Sequence, residues 1–218
     1  MARRTKQQAM ATHDSILDAA ELLFEQQGVS RTTLQHIAAA AGVSRGAIYW
    51  HFDDKAALFN AMMDRATMPL EAMVQCEEGV QISDPVGDVR DWLLTAFRLT
   101  ATDPKTRRVF EIATHKVEYV DELTAVRDRH LASYNQWLVR AEGRLKIAIK
   151  RGLLKPNVSA RVTARGLWAM TDGLIQIWLL DPTAFNLMRV GRQVVDSHLD
   201  SLRAADEAAA TPAEMSAR

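Results

Sequence analysis

The side chains best suited to recognition chemistry cluster between Thr32 and Lys55, in TTLQHIAAAAGVSRGAIYWHFDDK. Tyr49, Trp50 and His51 place three large rings in a row. Successive helical residues point in different directions, so three adjacent rings cannot all enter one core. Some must face outward, where hydroxyl and imidazole groups reach phosphate oxygens. Gly46 and Ala47 leave the turn before them nearly bare, which lets a backbone approach another surface closely. Two short helical patterns meet across Gly42-Val43-Ser44, the layout of a helix-turn-helix.

A second group of chemically capable residues lies further along. Trp92, Phe97, Phe110, Trp137, Trp168 and Trp178 are spread over four apolar segments. Thr100, Thr114, His115, Asp172 and Gln176 interrupt the same apolar faces. A carboxylate such as Asp172 is costly to bury unless something pairs with it. Large apolar walls with a few convergent polar groups describe a small-molecule site. Each polar residue has an alternative reading, bonded to a neighbour or turned to water. Glu111, His115 and Glu118 have helical spacing. Without a second histidine they read as a surface ion-pair cluster, so no metal and no cofactor are expected.

The elements that must carry these residues are all helical, about nine of them. No two-residue alternation bounded by turns occurs. The first helix sets Ile16, Leu17, Ala20, Leu23 and Phe24 on one face and stops at Gly28. The second begins at Thr32 or Thr33, and Thr32 with Gln35 has capping-box spacing. Ser44 caps a short third helix ending near His51, and Asp53 or Asp54 caps a fourth. Pro69 predicts a kink or break in that fourth helix, and a polar, glycine-containing stretch follows from Glu77 to Asp84. Asp84-Pro85 and Asp103-Pro104 are two starts of one kind, a capping aspartate and then proline at the first helical position. A long helix runs through Trp137 to Gly152. Ser159 caps another, closed by Asp181-Pro182, and the last contains Val190 to Leu202. The tail beyond Ala204 is rich in Ala and Glu and is expected to fray.

Length and charge limit the function classes. The chain has 218 residues, with 27 basic and 27 acidic side chains, so any nucleic-acid surface must be a local patch on a neutral molecule. The single cysteine, Cys76, cannot close an internal disulfide, which fits a cytoplasmic location. No run of about 18 apolar residues suits a membrane span. Arg3, Arg4 and Lys6 have no apolar run after them, so they read as a flexible basic arm and not as a secretory signal.

The first-helix segment ILDAAELLFEQQG and the block TTLQHIAAAAGVSRGAIYWHFDDKAALF resemble the TetR family of bacterial regulators, over roughly the first 60 residues. The segment DPKTRRVFEIATHKVEY and the opening RRTK are similar to the efflux-pump repressors of that family, the acriflavine-resistance and toluene-efflux type. The resemblance implies a DNA-binding domain over residues 1–56 and a ligand-binding and dimerisation domain over 57–218. It also implies binding to a palindromic operator. Arg45 would read a base edge, as arginine does with guanine. Tyr49, His51 and Lys55 would hold phosphates, with Thr32 and Thr33 donating hydroxyls. Ser44, Gly46, Ala47 and Trp50 complete the expected contact surface. A hydrophobic effector would lie against Leu93, Ala96, Phe97, Phe110, Thr114, Trp168, Asp172 and Gln176, although several of these differ in type from the relatives.

The helix after Ser159 is apolar around most of its girth, through Leu167, Trp168, Thr171, Leu174, Ile175, Trp178 and Leu179. One side can face its own chain; the other calls for a partner. The last helix offers a matching strip. The two predict a homodimeric four-helix bundle with Trp178, Val190, Val194 and Leu199 at its interface. The resemblance implies a repressor relieved by a hydrophobic or aromatic small molecule and controlling a multidrug efflux operon and its own gene, the alternative being a regulator of a catabolic or other non-efflux gene. An enzyme using Glu111, His115 or Asp172 lacks any nucleophile motif or phosphate loop. A DNA-architectural protein would not need the ring-lined body.

Overall fold

The computed structural model describes residues 2–74, 82–118 and 123–204. Among them are nine helices and no strand beyond an isolated bridge between Leu154 and Arg203. In chain order these are α1 (Ala2–Gln27), α2 (Leu34–Ala40), α3 (Arg45–His51), α4 (Lys55–Val74), α5 (Pro85–Thr102), α6 (Pro104–His115), α7 (Thr124–Lys150), α8 (Ala160–Leu180) and α9 (Leu187–Ser201). Cys76, most of the Glu77–Asp84 stretch and the tail after Ala204 lie outside the described residues.

Local chemistry sets most boundaries. Ser44 accepts from the Ala47 amide at 3.1 Å, Asp54 from Ala57 at 2.7 Å, Asp84 from Gly87 at 2.8 Å and Asp103 from Thr106 at 3.0 Å. Each satisfies an amide that the first helical turn leaves unpaired. Three expectations need correction. The cap of α2 is Thr33, reciprocally bonded to His36, and not Thr32 with Gln35. The fourth helix runs on through Pro69 without a break. Pro69 is exposed, so water can serve the carbonyl that its ring leaves unmatched. The basic N-terminal residues continue α1 as helix from Ala2 and do not form a separate arm.

Two apolar cores form. One gathers Ile16, Leu17, Phe24, Ile37, Ile48, Leu58, Phe59 and Met62, joined by Val109 and Ile112 of α6. The other joins α5, α7, α8 and α9 around Phe97, Leu145, Leu167, Val195 and Leu199. Packing is therefore not divided at residue 56: α4 and α6 belong to the first core as fully as α1 does. Gly191 lets α9 lie directly on α5, since a Cβ there would stand 2.5 Å from the Phe97 ring. No helix among the described residues is long and apolar enough to cross a membrane.

Candidate nucleic-acid interface and ligand cavity

The short helix α3 is pinned by one side and open on the other. Ile48 is fully buried and Phe52 closes the helix against the core. Ser44, Arg45, Gly46, Tyr49 and Trp50 are exposed, with Trp50 showing 73% of its surface. A tryptophan so uncovered lies outside the chain's own core. The turn before α3 requires Gly42, whose φ of +67° is left-handed. Arg45 rests its guanidinium 5.8 Å from the Tyr49 ring centre, within cation–π range. Ala47 and His51 are half-buried. His51 meets Trp50 edge-on at 4.6 Å and His13 of α1 at 5.8 Å. Burial, and then the neighbouring His13, lower the His51 imidazole below its ordinary pKa. It therefore meets a partner mainly as a neutral hydrogen-bonding ring.

The two threonines separate. Thr33 is exposed at the α2 start. Thr32 is fully buried; its hydroxyl donates to the Gly28 carbonyl at 2.7 Å and accepts from Gln27 at 3.1 Å. The expected hydroxyl contact from Thr32 is thus corrected: that group fastens the α1–α2 turn. Lys55 begins α4 as expected, but its ammonium donates to the Val29 and Ser30 carbonyls at 3.1 and 3.5 Å. It ties α4 to the same turn, so its charge stands beside the helix pair while also holding it together. His13 and Lys55 both position this surface. Nothing in their sequence spacing signalled it, because each acts across 25 residues or more.

Arg45→Ala is expected to relax preference at one base position per half-site, at about 1–3 kcal/mol each. Binding to a set of single-base operator variants measures this. An unchanged preference profile would remove Arg45 as a base reader.

The second feature is a cavity of about 570 Å³ between α4, α5, α6, α7 and α8. This is a volume typical of sites for drug-sized molecules. Leu93, Ala96, Phe110, Thr114, Trp168, Asp172 and Gln176 all line it. Phe97 does not: it is fully buried against Gly191, in the α5–α9 contact, which corrects that expectation. The lining also includes Trp92, Trp137, Thr171, Ile175 and Arg140. Trp168 packs edge-on to Tyr134 at 5.2 Å and tilted against Trp137 at 5.3 Å. Asp172 accepts from Gln176 at 2.5 Å. Burial raises the Asp172 pKa, opposed by His130 and that hydrogen bond. The Thr171 hydroxyl is buried with no hydrogen-bond partner among the described residues. Such a group is costly to leave unmet.

The carboxylates and histidine of α6 take separate paths. His115 bonds the Gln176 carbonyl of α8 at 3.2 Å, and Glu118 accepts from Ser30 at 3.5 Å. Among the described residues, the expected ion-pair cluster of Glu111, His115 and Glu118 is therefore not formed. Among the described residues no group of three or more His, Cys, Asp or Glu is placed to hold a metal.

Two residues expected at a subunit interface finish the chain's own core instead. Leu199 is 2% exposed. Trp178 is covered by the Arg107 guanidinium 5.0 Å from its ring, and its indole N–H donates to the Phe185 carbonyl at 3.1 Å. Val190 and Val194 stand half-buried on a flank of α9.

Comparison with known proteins bears on the whole chain. Residues 16–62 match the family model "Bacterial regulatory proteins, tetR family", and residues 84–204 match "MAATS-type transcriptional repressor, C-terminal region". The HTH-type transcriptional regulator TtgR of Pseudomonas putida is 38% identical over 203 residues, covering 93% of this chain and 97% of that protein. NalD, described as the secondary repressor of the MexAB-OprM multidrug efflux pump in Pseudomonas aeruginosa, superposes with a TM-score of 0.82 at 34% identity, covering 90% of this chain and 98% of NalD. SmeT in complex with triclosan superposes at 0.80 with 29% identity, covering 95% and 98%; SmeT is described as the repressor of the Stenotrophomonas maltophilia pump SmeDEF. With both halves matched and the exposed recognition helix in place, the chain belongs to the TetR family of bacterial regulatory proteins.

Proposed function

We propose that this chain is a homodimeric repressor of a multidrug efflux operon, released from its palindromic operator when a hydrophobic or aromatic molecule fills the cavity. The observation that carries the reading is the pairing of an outward-facing recognition helix with a cavity lined by aromatic rings. Residues 1–56 carry the DNA surface in this reading, and 57–218 the cavity and dimer contacts. NalD and SmeT, both described as efflux-pump repressors, support the choice of operon. A cytoplasmic site of action follows from the DNA partner. Thr33, Tyr49, Trp50 and His51 contact backbone phosphates while Arg45 reads bases.

Release works through differential affinity. A ligand weakens DNA binding only by preferring a conformer whose recognition helices no longer match the half-site spacing. A release of about 100-fold corresponds to about 2.7 kcal/mol of such preference. The helix α6 is placed to transmit it. Phe110 and Thr114 line the cavity, while Val109 and Ile112 of the same helix pack into the core that holds α1 and α3. The test is a gel shift on the promoter beside the protein's own gene, repeated across a panel of hydrophobic drugs and plant aromatics. Members of the panel should lower operator affinity, and Asp172→Ala should change which ones do. A broad panel with no effect on DNA affinity would remove the sensor function.

A further inference from the structure

Among the described residues the charges around the cavity are not balanced. Three guanidinium groups, Arg127, Arg129 and Arg140, line it against two carboxylates, Glu71 and Asp172. Arg127 donates to Asp128 at 3.2 and 3.0 Å. Arg129 is held by Asp64 and by Glu71, and Glu71 also accepts from Thr67 at 2.9 Å. Asp172 is engaged by Gln176, and His130 opposes the rise that burial gives its pKa. Arg140 remains. It is half-buried and has no hydrogen-bond, ion-pair or ring partner among the described residues. It also lines a shallow groove on the outer side, with Trp92 and Gly143, so it stands in the wall between cavity and solvent.

A guanidinium in that position has lost part of its hydration and keeps a planar fork of donors. Two oxygens of one acid group fit that fork. Trp92 and Trp137, which line the cavity with it, offer ring surface for the rest of a ligand. We propose that the cavity selects aromatic acids, an apolar ring system carrying one anionic group, and that Arg140 is the specificity-determining residue that binds the anion. The inference rests on reading the cavity as the effector site.

Two fluorescent dyes with one skeleton test it: anilinonaphthalene sulfonate, and phenylnaphthylamine, which lacks the sulfonate. On the full chain the sulfonate should bind about 10-fold tighter or more, the scale of a charge-assisted hydrogen-bond pair. Its advantage should shrink as salt is raised. Arg140→Gln should remove the advantage and leave phenylnaphthylamine binding unchanged, which also reports that the variant is folded. As ligands of one cavity the dyes should displace each other. Equal affinities in the wild type, or a sulfonate advantage that survives Arg140→Gln, would overturn the assignment. Mutual displacement without any loss of operator binding would instead sink the effector reading and leave the anion preference standing.

Discussion

A protein carrying glutamate at both Ile177 and Leu180 is expected to be a folded monomer that binds its operator at least about 10³-fold more weakly. The expectation comes from the outward side of α8. Val162, Ile177 and Leu180 are 68%, 58% and 66% exposed, and the exposed residues between them include Ala169 and Gly173. At spacings of three, four and seven they form one stripe along the helix. Large aliphatics at the ends and small residues in the middle let a second helix approach closely. In the proposed dimer α8 packs on its two-fold mate through this stripe, flanked by Val190 and Val194 of α9. Two carboxylates buried there would face their own copies with no partner, and each costs several kcal/mol. A monomer presents one short recognition helix, which reads too few bases to rise above non-specific binding. Sedimentation, circular dichroism and a gel shift on one sample check the three parts. A double variant that stays dimeric and keeps its operator would misplace the interface. Leu199→Glu is not an equivalent test, because that side chain belongs to the monomer core and the variant would unfold.

The same helix shows what periodicity can and cannot disclose. Apolar residues around most of its girth correctly announced that α8 is covered on several sides. They could not say by what. Leu167 enters the core, Trp168 and Asp172 face the cavity, and Trp178 is sealed by an arginine 71 positions earlier in the chain. Hydrophobicity also hides the outward stripe, since Ala169 and Gly173 matter there for being small. Phe97 fails for a related reason: a large buried ring reads alike whether it lines a void or fills a contact, and only Gly191 on another helix decides.

Elements governed by neighbours in sequence were the legible ones. Ser44, Asp84-Pro85, Asp103-Pro104 and Ser159 each solve a local shortage of amide acceptors within three residues, so their helix starts follow from chemistry at that point. Thr32 and Thr33 were equally good caps locally. The choice falls to Thr33 because the Thr32 hydroxyl is taken by Gly28. The outward rings of α3 were legible because crowding of three adjacent aromatics admits no other outcome. Arg140 gave no signal, since its distinction is the lack of a partner among the described residues.

Arg65→Ala is expected to cost about 3 kcal/mol of stability, although Arg65 touches neither the DNA surface nor the cavity. Glu21 of α1 is 2% exposed, and a carboxylate so placed must be neutralised by neighbours. Arg65 of α4 supplies the direct ion pair and also bonds Asp18 at 2.9 Å. Arg108 of α6 approaches Glu21 at 3.9 Å but spends its closer contact, 3.0 Å, on Glu25. Lys105 of α6 reaches Asp18 at 3.6 Å. Three helices are thus joined through one buried charge. Truncating Arg65 leaves Glu21 with a single distant cation in a place where water enters poorly. Breaking a buried pair on one side costs about 3–5 kcal/mol, and the remaining Arg108 sets the lower end. For a chain of this size the melting temperature should fall by roughly 6–12 °C. Replacing both members, as Glu21→Leu with Arg65→Met, removes the stranded charge and should recover most of the loss. Thermal and urea denaturation of the single and double variants measure both numbers. A single variant within 1 kcal/mol of wild type, on the scale of exposed pairs, would show that Glu21 is adequately held by α6 alone.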